Sequence, residues 1–172
     1  MRQWWLKRQV DIGLRQMEAV DSWISRQAAE PTPSRPGQWD GGQHLFHSVI
    51  VGHGILDVVD QLCQSSAEEG KPTTRFAPWV SAILLMGWLP RGRAKSPERF
   101  HPPEQVDLRQ LERQSRELSR RLGDARGRIS EILSAKGRYA HPVLGPLSAG
   151  QWLRFLVIHT HHHWKIVRGQ SA

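Results

Sequence analysis

Apolar residues recur at helical rather than alternating spacing along most of the chain. From Arg2 to about Arg26, Trp5, Leu6, Ile12, Met17, Val20 and Ile24 follow mostly three- and four-residue steps, which predicts a first helix. Pro31, Pro33 and Pro36 forbid its continuation, because proline lacks the backbone N–H and clashes with the preceding turn. Residues 28–39 are therefore expected to form a loop. Asp40 with Gln43 has the spacing of a capping box and predicts a second helix to about Gln64. A short third helix is expected over Pro78–Trp88, with proline tolerated in its first turn. Residues 89–106 read as a basic, proline-containing connection.

The fourth helix, about Asp107 to Ser134, carries the clearest pattern. Leu108, Leu111, Ser115, Leu118, Leu122, Ala125, Ile129 and Ile132 make an almost unbroken stripe, and the other faces are Arg, Glu and Gln. A loop from Lys136 to Leu147 follows, rich in glycine and proline. Ser148 with Gln151 forms a second capping box and opens a last helix to about Arg168. No alternating β-branched run and no Asn-Gly turn is present, so no strand is expected. Four long helices, one short helix and two crossover-length loops predict an all-α four-helix bundle, one domain over residues 1–172.

Composition narrows the classes. The chain has 172 residues, 24 Lys and Arg against 16 acids, and a net charge of +8. Such an excess suits nucleic acid, an anionic small molecule or an acidic partner, or simply a solvated surface. No apolar run approaches the roughly 20 residues of a membrane helix, so no membrane partner is expected. The start is basic but lacks the apolar core of a signal peptide, and a single cysteine excludes an internal disulfide framework. A cytoplasmic location is the expectation. Cys63 lies sixteen residues beyond His47, an axial gap of about 24 Å in a helix, so the two cannot form a nucleophilic pair.

Histidine is the distinctive residue, with 9 in the chain. In the last helix, at 100° per residue from His159, Trp152 falls near ~20°, Leu156 near ~60°, His163 near ~40° and Ile166 near about −20°. His159 and His163 therefore share the apolar face one turn apart; His162 flanks it, and His161 points away. Two imidazoles at i and i+4 can take adjacent positions on one metal ion. In the second helix Gln43, Ile50, Val51, Gly54, Val58 and Leu62 cluster around His47, which is expected to point into the core; His44 lies on the edge and His53 off the stripe. Gly54 on that face permits close helix approach or leaves room for a ligand. Three inward histidines read as a metal site, as a polar structural cluster, or as a tag-like surface run. Neutral imidazole suits zinc, nickel and ferrous iron, and three His without a fourth protein ligand leave an open position.

Three stretches carry a likeness: Trp39-Asp-Gly-Gly-Gln43-His-Leu-Phe-His47; Trp88-Leu-Pro-Arg-Gly-Arg-Ala-Lys-Ser-Pro97 with His101-Pro-Pro103; and His141-Pro-Val-Leu-Gly-Pro-Leu-Ser-Ala-Gly-Gln-Trp152 leading into His159 and His163. In these the sequence resembles the DinB/YfiT-like metalloenzyme superfamily. The resemblance implies a four-helix bundle whose divalent metal is held by one His of the second helix and two of the last, here His47, His159 and His163. Where the family has Ser after the Trp, this chain has Asp40 and then two glycines; both Ser and Asp cap helices. The resemblance also implies a metal-dependent transferase or hydrolase acting on a small molecule, with a low-molecular-weight thiol as a cofactor in the better-known relatives. His162 is a substitute ligand, Gln43, Gly54 and Trp152 are candidate pocket residues, and Arg91, Arg93 and Lys95 are candidates for binding an anion. Trp4 and Trp5 are candidates for the face of a homodimer. The alternative is a basic nucleic-acid-binding or anion-binding helical protein with a structural metal or none.

Overall fold

The computed structural model describes residues 3–29, 37–64, 78–87, 89 and 97–170. Its helices are α1 (Gln3–Ala29), α2 (Gly41–Gln64), α3 (Pro78–Met86), α4 (Leu108–Gly127), α5 (Ile129–Ser134) and α6 (Ala149–Gln170). A 3-10 turn spans Glu98–Phe100, and strands β1 (Tyr139–His141) and β2 (Gly145–Leu147) pair antiparallel. The chain is thus mainly helical.

Both expected capping boxes form. Asp40 accepts from the Gln43 N–H at 2.8 Å, and the Gln43 side chain accepts from the Asp40 N–H at 3.0 Å. Ser148 and Gln151 make the same reciprocal pair at the start of α6. Asp107 caps α4 by accepting from Arg109 and Gln110.

The long helices α1, α2, α4 and α6 enclose one core, with α2 against α6 and α4, and α1 against the same two. Their directions follow from individual contacts. His44 meets His163 and Ser48 meets Thr160, so α2 and α6 are antiparallel. Asp21 meets Ser115 and Asp11 meets Arg126, so α1 and α4 are antiparallel. A Cβ on Gly52 would strike Leu118, and Arg128 meets Asp60, so α2 and α4 run parallel. The order is up, down, down, up, which obliges the long crossover between α2 and α4.

Leu6, Leu45, Leu118, Leu122 and Leu153 are fully buried between these helices, each stabilising by about 1.5–3 kcal/mol relative to exposure. Glycine permits close approach of α2 and α4: an added Cβ at Gly52 would lie 2.7 Å from the Leu118 side chain. No helix among the described residues is long and apolar enough to cross a membrane.

Five expectations need correction. The stripe of α4 bends after Gly127, where the Arg128 N–H is shared between the Asp124 and Ala125 carbonyls, and α5 begins afresh. Ile129 and Ile132 stay buried, so the apolar pattern continues across a break it cannot reveal. The region expected as loop over 136–147 contains the hairpin. Its three-residue connection, Pro142–Leu144, leads into Gly145, the first residue of β2, at φ +74°, a left-handed conformation that needs no Asn-Gly pair. Helix α1 extends to Ala29, up to the proline segment rather than stopping at Arg26, and α3 ends at Met86 because Gly87 adopts φ +68°. Finally, the buried line of α2 is Leu45, Val49, Gly52, Leu56 and Val59, while Ile50, Val51, Gly54 and Val58 are only half-buried. His47 is 4% exposed but sits on the flank of that line.

Candidate metal centre

Helices α2 and α6 cross where His47 faces His159 and His163. Ring centroids lie 5.2 Å apart for His47–His159, 4.7 Å for His47–His163 and 4.6 Å for His159–His163. One ligand nitrogen from each lies within 4.8 Å of the others, so the three could hold a metal ion. His47 and His163 are buried, and His159 is half-buried by solvent exposure although protein surrounds it densely.

The donor chemistry fits a cation. Burial pushes the His47 pKa down, and the bond to Phe100 only partly opposes it. Burial, and then the neighbouring imidazoles, drive His159 and His163 far below the ordinary range. All three rings are therefore neutral near pH 7, the form in which imidazole binds a metal. Nδ1–H of His47 donates to the Phe100 carbonyl at 2.7 Å, which leaves Nε2 with its lone pair turned to the other rings. His163 Nδ1 lies 3.1 Å from His44 Nδ1. Trp39 walls this side, its ring 5.4 Å from His44 and 5.1 Å from His47.

The remaining sequence candidates take distinct places. Gln43 spends its side chain on the cap and on the Pro103 and Glu104 carbonyls, tying the crossover to the start of α2. The space over Gly54 is filled by the Phe100 ring, 3.3 Å from where a Cβ would stand. Trp152 is buried, donates to the Tyr139 carbonyl, and stacks on His141 at 5.2 Å. It is one residue removed from the triad, through Phe155. His162 rests edge-on against His163 at 5.2 Å, outside the group of three. His53 bonds the Gln114 carbonyl on the α2–α4 seam. The Cys63 thiol is half-buried, and burial, with Glu131 next, raises its pKa. Arg91, Arg93 and Lys95 lie outside the described residues. Trp4 is exposed, while Trp5 lies under the Arg154 guanidinium.

Three residues that the sequence did not put forward as ligands or pocket residues also shape this region. His44 shares a helix face with His47 at i+3, a signal that was available. Phe100 acts through a main-chain carbonyl, which no side-chain pattern reveals. His141 accepts from the Val143 and Leu144 N–H groups through Nδ1, closing the hairpin turn and packing on Phe155 at 4.6 Å.

No acidic residue joins the triad among the described residues, so a bound divalent ion would keep its full charge. Four arginines of α4 pair with acids: Arg116 with Glu112 and Arg120 with Glu117 and Asp124 in the same helix, Arg121 with Asp57 and Asp60 of α2, and Arg126 with Asp11 of α1. Comparison with family models, curated proteins and solved structures finds no match to the chain.

Proposed function

We propose that the chain is a DinB/YfiT-type four-helix bundle that holds one divalent cation, zinc, nickel or ferrous iron, through His47, His159 and His163. Its function is transfer or hydrolysis on a small molecule, with a low-molecular-weight thiol as co-substrate. The observation that carries this reading is the convergence of three neutral imidazoles from α2 and α6 on one point. The four long helices around one core and the resemblance of the three sequence stretches support the family assignment.

The residues of the chain have separable tasks in this reading. His47 is oriented by Phe100, and the Phe100 and Trp39 rings exclude water from one side. His159, the least buried of the three, lies on the side from which a substrate enters. Three protein ligands leave a coordination position for an incoming group. A bound divalent ion would supply Lewis acidity, lowering the pKa of a water or thiol at that position. The pairing of Arg116, Arg120, Arg121 and Arg126 with acids favours this small-molecule reading over nucleic acid, because it interrupts the basic surface of that helix.

The test uses protein loaded with cobalt. A simple thiol and a carboxylate-bearing thiol are both expected to change its visible spectrum, because thiolate is a soft ligand for an open site. Only the carboxylate-bearing thiol is expected to weaken in the Arg91→Ala, Arg93→Ala double variant. If neither thiol perturbs the spectrum, the thiol-transfer reading is wrong.

A further inference from the structure

The contact between His44 and His163 has a directional consequence. Two imidazole nitrogens 3.1 Å apart share one hydrogen. If His44 Nδ1–H donated, His163 would carry its own proton on Nε2 and its Nδ1 lone pair would be occupied, so neither nitrogen could bind a cation. If His163 Nδ1–H donates, His44 accepts and His163 Nε2 is left as a ligand. His47 already obeys the second scheme, with its Nδ1–H given to Phe100. His44 is itself fixed by its ring contact with Trp39 and by the turn of helix it shares with His47.

We propose that His44 is a positioning residue for the metal site: its Nδ1 accepts a hydrogen bond from His163 Nδ1–H and thereby selects the tautomer and ring orientation in which His163 binds a cation. This rests on the metal reading above. His44 stands outside the group of three convergent nitrogens, so its part is exerted through His163. Partners of this kind typically carry a 10- to 100-fold effect on metal affinity.

The experiment compares cobalt binding by the wild type, His44→Asn and His44→Phe, using metal affinity, the visible spectrum and the melting temperature of metal-free protein. Asn places an acceptor oxygen on the same carbon from which Nδ1 branches in histidine. Phe keeps an aromatic ring against Trp39 but offers no acceptor. His44→Asn is expected to bind within about 3-fold of wild type, and His44→Phe about 10- to 100-fold more weakly. Both are expected to give the wild-type spectrum once saturated. Should the Phe variant fail to fold, His44→Ala takes its place. Equal affinity of wild type and His44→Phe overturns this inference alone, as does a changed coordination spectrum in both variants, which would make His44 a ligand. A wild type that takes up no cobalt overturns the metal reading and this inference with it.

Discussion

His141 offers a prediction whose size follows from its surroundings. Its ring is partly buried against Trp152 and Phe155, and burial pushes its pKa down from 6.5 to about 4. The native state then binds fewer protons at this site than the unfolded chain does between those values. Stability is therefore fully present above pH ~6.5 and is lost as pH falls toward about 4. From pH 7.5 to 5.0 the loss covers about 1.5 pH units below the unfolded value, or about 2 kcal/mol from this one residue. The triad histidines, also lowered, add loss of the same sign. The variant His141→Asn isolates the effect. Its amide oxygen can accept from the Val143 and Leu144 N–H groups as an Asx turn does, so the hairpin turn survives without a titrating group. Urea unfolding of EDTA-treated protein at pH 7.5 and 5.0 measures both. The wild type is expected to lose about 2 kcal/mol more than His141→Asn over that interval. Equal losses would refute the argument that His141 is held neutral by burial.

The glycines give a paired test of packing. Gly52→Ala would press a Cβ against buried Leu118 and is expected to destabilise by about 1–3 kcal/mol, whereas Gly123→Ala, with no atom within 4 Å in the middle of α4, is expected to stabilise by about 0.5–1 kcal/mol; thermal melts of the two read opposite shifts. Arg154, 8% exposed, donates to the Leu84 carbonyl at the end of α3 and to Gln9. Arg154→Met is expected to cost about 1–3 kcal/mol in urea unfolding, since it leaves the end of α3 without its donor.

The legible parts of the fold were those fixed by local chemistry. Asp40 with Gln43 and Ser148 with Gln151 announced two helix starts because capping depends on residues three apart. The α4 stripe was legible because one face alone is apolar. In α2 that contrast is missing: Leu45, Phe46, Val49, Ile50, Val51, Ile55, Leu56 and Val58 surround the helix. Periodicity therefore could not choose the buried line, and the face drawn around His47 missed the true one. The facing of His159 and His163 survived because they are one turn apart, so an error of register moves them together. The Phe100 carbonyl and the hairpin were not legible. The first depends on how the crossover lies over Gly54, and the second on three-residue strands too short to alternate.

The central claim is tested most directly by metal content. After dialysis against zinc and removal of free ion, elemental analysis of the wild type is expected to find one zinc per chain. His159→Ala and His163→Ala are expected to lose most of it, while His161→Ala, which stands outside the group of three, retains it. No zinc in the wild type, or equal loss from His161→Ala, would contradict the three-histidine site.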